Sequence, residues 1–184
     1  MPKVSQEHLD ARRAEILEGA RRAFARHGYD GATVAKLEEE IGLSRGAIFH
    51  YFDGKLDLFA ALANSDNARY QALLAEEGLA ALIGAIAAAD PNWLNVLIET
   101  EVKLLHDPEF QKRITSTPDQ RQTVLGAFER GQATGEFRDD LGADDLVRFT
   151  SIVINGLALA VSAGAPVDVD ALQTLVRDAV RPRD

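Results

Sequence analysis

Between residues 8 and 27, Leu9, Ile16, Leu17, Ala20, Ala23 and Phe24 recur at the spacing of one helix face, with five arginines at other positions. Gly28 is placed to stop that helix. Thr33 suits the cap of a second, short helix running to about Ile41, which Gly42 ends. Ser44 suits the cap of a third, carrying Arg45-Gly46-Ala47-Ile48-Phe49-His50-Tyr51-Phe52. Asp53-Gly54 breaks the chain, and a long helix is predicted from Lys55 to about Glu77. A Leu- and Ala-rich helix is predicted over 78–89.

Two later starts share one signature. Asp90-Pro91 and Asp107-Pro108 each place an acidic cap before a proline at the first helical position. Thr117-Pro118 should kink or restart the second of these helices, with Thr117 as a cap. Gly135 and Gly142 bracket a loop. A strongly apolar helix is predicted from Asp144 to about Ala163, and a last one from Asp168 to Val180 with Leu172, Leu175, Val176 and Ala179 on one face. No alternating run bounded by hairpin turns occurs, which argues against a sheet. The pattern is all-α, about nine helices, divided into a small N-terminal domain over 1–54 and a larger one over 55–184.

The first domain carries the clearest chemistry. Three short helices with Gly42-Leu43-Ser44 as a turn form a helix-turn-helix candidate. Such a unit offers the start of its third helix to the major groove, here Arg45, Gly46 and Ala47. Arg45 supplies the fork that matches the two acceptors of guanine, and the small residues after it permit close approach. His50 and Tyr51 can donate to phosphate, with Phe49 and Phe52 buried behind them. Thr33 and Lys55 begin helices whose free amides, and at Lys55 a cation, favour phosphate. The candidate DNA-binding set is Thr33, Lys36, Ser44, Arg45, Gly46, Ala47, Phe49, His50, Tyr51 and Lys55.

Net charge at first opposes this reading. The 184 residues hold 20 basic against 29 acidic side chains, a net −9, and phosphates repel an acidic surface. The distribution resolves the conflict: through Lys55 there are nine bases and nine acids, so the remainder carries the whole excess. Glu38-Glu39-Glu40 would repel DNA if pointed at it, and is expected on the outer face. Absence of cysteine excludes disulfide scaffolds and thiol chemistry. The N-terminus lacks the apolar stretch of a secretory signal, and the run 152–161, interrupted by Asn155, falls short of the ~18 residues of a membrane span. A soluble, cytoplasmic protein is expected.

The string from Ile16 to Leu62 resembles the DNA-binding domain of the TetR/AcrR transcriptional regulators. The matching residues are Ile16-Leu17 with Ala20, Phe24, Gly28-Tyr29, Thr33-Val34, Ile41-Gly42, Ser44-Arg45-Gly46, Phe49-His50-Tyr51-Phe52, Lys55 and Leu58-Phe59. The resemblance implies a ligand-responsive repressor that binds a palindromic DNA operator as a homodimer. It also implies that residues 55–184 bind a small-molecule effector and dimerise. Within the family, Glu15 to Arg22, Gly31 to Val34, Leu37-Glu38-Glu39, Arg45 to His50 and the tail from Val180 look like the AcnR-type aconitase repressors of actinobacteria. That implies a citrate-like anionic effector, with magnesium as a further candidate; no cofactor is otherwise required.

Asn155 interrupts the most apolar segment and is expected to have a buried partner or a ligand. Arg130 can hold a carboxylate through two bonds. Glu99 and Lys103, four apart, are either an exposed pair or ligand contacts, and Glu99 is the carboxylate named for a metal. Trp93 and His106 read as helix-end packing. The dimer interface is expected at Phe149, Val153, Gly156, Leu157, Ala160, Gly164, Leu172, Leu175, Val176 and Ala179, where Gly156, Ala160 and Gly164 form a smooth ridge. No metal-binding pair, phosphate loop or nucleophile elbow occurs, so no enzyme is expected. An alternative is a multidrug-sensing repressor of an efflux gene, against which the 7% aromatic content weighs.

Overall fold

A computed structural model describes residues 6–114 and 118–183, which form ten helices and no strand. The chain packs as two compact units, residues 1–65 with 95–115, and residues 66–94 with 116–184. The long helices α4 (Lys55–Glu77) and α6 (Pro91–His106) contribute residues to both.

In the first unit, α1 (Gln6–Gly31) is broken at Gly28, whose φ of 70° a side chain would strain, so the predicted stop is real. α2 (Val34–Ile41) starts under the Thr33 hydroxyl and ends at Gly42. α3 (Arg45–Ile48) has only four residues, fewer than the predicted run to Phe52. The cause is local: Tyr51 N–H closes a tight turn on the Ile48 carbonyl, and the chain bends so that Phe52 enters the core at 2% exposure. Ile16, Ala20, Ala23 and Phe24 of α1 are buried with Leu37 of α2, Ile48 of α3, and Leu58 and Phe59 of α4. α1 and α2 approach backbone to backbone, since a Cβ on Gly19 would lie 2.7 Å from the Ile41 Cα.

The same unit ends in α7 (Pro108–Arg113), whose cap Asp107 accepts the Glu109 amide at 2.9 Å as the Asp-Pro signature requires. Asp90 does the same for α6 through Asn92. Thr117, the other expected cap, lies outside the described residues. Phe110 of α7 joins Tyr29 and Phe59 in an edge-on aromatic cluster with centroids 5.1 Å apart for both pairs made by Tyr29.

In the second unit, α5 (Leu79–Ala87), α8 (Pro118–Ala133), α9 (Ala143–Ser162) and α10 (Val169–Val180) surround a core of Leu82, Ile83, Ile86, Phe128, Leu146, Leu157, Val176 and Val180. α9 is apolar on more than the side it buries: Phe149, Ile152 and Leu159 are exposed. By length and composition α9 is long and apolar enough to cross a bilayer, so Asn155 does not interrupt it as the run-length reading supposed. Trp93 is buried and donates its indole N–H to Asp66 at 2.6 Å. Arg138, in the α8–α9 connection, forks onto Asp140 through two bonds of 2.7 Å and donates to the Ala179 carbonyl, tying that loop to the end of α10.

Candidate nucleic-acid interface

Two side chains seat the reading helix. Ile48 is fully buried and Phe52 nearly so, which fixes one face of the α3 turn in the core of the first unit. The opposite edge is open. Arg45 and Gly46 are exposed, and the Arg45 guanidinium makes no ion pair among the described residues. Nothing lies within 4 Å of where a Gly46 side chain would begin, so a base edge has room to approach. The Ser44 hydroxyl accepts the Ala47 amide at 3.4 Å, as the cap reading requires. His50 is exposed and stands edge-on to Tyr51, with centroids 5.3 Å apart. Beneath them Arg13 stacks over the Phe52 ring at 4.2 Å and donates to the Tyr51 carbonyl, holding the 49–52 turn in place. These residues, with exposed Thr33 and half-buried Lys36, lie in one unit.

Three expectations change. Phe49 is half-buried, so of the two phenylalanines only Phe52 is buried behind the turn. The Lys55 ammonium, expected at phosphate, turns inward: Nζ donates to the carbonyls of Tyr29 and Asp30 at 3.0 and 3.4 Å and sits over the Tyr29 ring. Desolvation by this burial lowers the Lys55 pKa. The acidic run is also divided instead of turned outward. Glu39 is exposed, but Glu40 is mostly covered and paired with Arg26, while its carbonyl accepts from Arg22. Glu38 accepts the Arg45 amide at 2.6 Å. The pattern of residues showed a charged surface, and the seven-residue reach from Glu38 across a turn has no periodic signal.

The effector candidates are not gathered. Glu99 and Lys103 belong to the first unit, where the Glu99 carboxylate lies beside Gly28 and Lys103 pairs with Asp30 at 3.0 Å. Arg130 and Asn155 belong to the second unit and are exposed; the buried partner expected for Asn155 is absent because it stands on the outer face of α9. The buried, two-bonded arginine is Arg138, whose fork is already filled by Asp140. A groove of about 710 Å³ opens between α5, α10 and Phe137, lined by Arg177, Arg181, Gln173 and Asp170 among others, and by none of the four candidates. Among the described residues no three His, Asp or Glu side chains come together as a metal site.

The interface candidates divide by burial. Phe149, Gly156, Gly164 and Leu175 are exposed, and Val153, Ala160, Leu172 and Ala179 are half-buried. Leu157 and Val176 face inward and belong to the unit's own core. Ile152 and Leu159, which sequence reasoning omitted, complete an exposed apolar stripe with Phe149 at a spacing of three and seven.

Comparison with known proteins agrees with this geometry. Residues 16–62 match the family model for bacterial regulatory proteins of the tetR family. The HTH-type transcriptional repressor Rv1474c of Mycobacterium tuberculosis is 40% identical over 185 aligned positions, covering 98% of this chain and 99% of the relative. The HTH-type transcriptional repressor AcnR of Corynebacterium diphtheriae is 41% identical, covering 98% and 97%. Among solved structures, Salmonella enterica GusR has the same fold, with a TM-score of 0.73 at 19% identity over 96% of this chain and 97% of that one. With its helix-turn-helix reader and relatives similar over their whole length, the chain belongs to the TetR family of bacterial regulatory proteins and is a DNA-binding regulator, not an enzyme.

Proposed function

We propose that the chain is a cytoplasmic transcriptional repressor that binds a palindromic operator as a homodimer and controls an aconitase gene. The observation that carries the reading is the open Arg45-Gly46-Ala47 edge on a firmly seated α3. Identity of 40–41% over nearly the whole length to AcnR repressors supports the narrower assignment, beyond what a shared reader alone supports. The exposed stripe of Phe149, Ile152 and Leu159 with Leu175 supports dimerisation, because a two-fold operator calls for a two-fold protein.

A citrate-like anion is the proposed effector, and the second unit receives it. Exposed cations there include Arg130, which makes no ion pair among the described residues, while Arg138 is already committed to Asp140. An effector that releases DNA must bind more weakly when operator is present, by the same factor that it weakens the operator. Calorimetric titration with citrate, with and without an operator duplex from an aconitase promoter, tests this: equal affinities sink the effector assignment. Arg45→Ala should cost roughly 1–3 kcal/mol in operator binding and relax selectivity at one base position. Unchanged binding by this variant rules out the reader.

A further inference from the structure

Glu38 stands at an unexpected place for an acid. Its main-chain oxygen accepts the Gly42 amide at 2.9 Å, and its Oε1 accepts the Arg45 amide at 2.6 Å, so one residue closes both ends of the turn between α2 and α3. Ser44 already caps α3 through Ala47, and an uncharged acceptor would satisfy the Arg45 amide equally. The carboxylate is half-buried, and its Oε2 has no partner among the described residues. It lies against the backbone from which the Arg45 side chain leaves for the DNA. Near phosphates such a charge lowers affinity, since the Debye length is about 8 Å in physiological salt. Near base edges its matching donors are the amino groups of cytosine (N4) and adenine (N6), and cytosine is the favoured one because the N7 acceptor beside the adenine N6 repels a carboxylate.

We infer that Glu38 is a specificity-determining residue of the reader: with Oε1 fixed by the Arg45 amide, Oε2 accepts the amino group of a cytosine beside the guanine taken by Arg45. This rests on the DNA-reading role of α3. The charge disfavours registers without an amino group there, so non-specific binding falls further than operator binding. In Glu38→Gln the amide oxygen keeps the Arg45 bond and an NH2 group turns outward, a donor where an acceptor stood.

The test is selection of binding sites from a randomised duplex library by the full chain, as wild type, Glu38→Gln and Glu39→Gln. Wild type should enrich a palindrome with a fixed cytosine in each half. Glu38→Gln should keep its thermal midpoint, bind random DNA several-fold more tightly, and lose the cytosine preference by roughly five- to 150-fold, the range of one base contact. Glu39→Gln, one residue on and exposed, should tighten random binding but keep that preference. Identical base ranking in wild type and Glu38→Gln overturns the inference and leaves the reader intact. Failure of wild type to enrich any sequence overturns both. Should Glu38→Gln not fold, wild-type protein decides the matter on an operator whose cytosine lacks the 4-amino group: an equal loss supports the role, and undiminished binding overturns it.

Discussion

Lys55 shows how a residue of the expected type can take a different job. A cation at the start of a helix suits phosphate, yet its ammonium turns inward to two carbonyls left open where α1 breaks at Gly28. Lys55→Ala should therefore lower stability by about 1.5–3 kcal/mol, the worth of charged hydrogen bonds, and leave the salt dependence of operator binding unchanged. Denaturant unfolding and a salt titration separate these outcomes, and a flatter salt slope contradicts the inward role. Beneath it, burial and the nearby charges of Asp30 and Asp107 raise the Tyr29 phenol from its ordinary 10 to about 12. The fold thus favours the protonated ring. Its contribution is intact below pH 10 and is lost as pH rises through about 12. Tyr29→Phe should flatten the fall in stability across that window, measured by unfolding at stepped pH.

At the scale of elements, helix ends were legible because each has a chemical marker. Asp90, Asp107 and Asp168 accept the amides that their positions predict, and Gly42 ends α2. The length of α3 was not legible, because aromatic residues continue past its end and only the packing of Phe52 reveals the bend. Which face of α9 turns inward was also hidden, since apolar residues on both sides give two equally good stripes. The α1–α2 contact depends on a missing side chain. Gly19→Ala would place a methyl 2.7 Å from backbone and should cost about 1–3 kcal/mol as overpacking, with weaker DNA binding because α2 carries the reader's turn. Gly31→Ala meets only the His27 Cβ at an ordinary 3.6 Å and should be tolerated in the same unfolding assay.

For the whole molecule, charge and apolar surface are arranged for opposite partners. The DNA-reading segment is neutral on balance, and the acidic excess lies beyond Lys55, where contact with phosphate is not wanted. The effector candidates were the least legible part: Glu99 and Lys103 are four apart in sequence, but Lys103 pairs with Asp30 and the Glu99 carboxylate lies beside Gly28, a relation no spacing encodes. Dimerisation through α9 and α10 predicts that Ile152→Glu with Leu175→Glu, both at sites 68% exposed, leaves the monomer folded. Operator affinity should fall roughly a hundredfold or more as linked binding is lost. Light scattering and operator titration check this, and an intact dimer refutes the face. The bond between Trp93 and Asp66 has an optical consequence. Trp93 is the single tryptophan, it is 3% exposed, and both partners lie in the second unit. Its emission is therefore a built-in dye, and it should respond when the surroundings of Asp66 change.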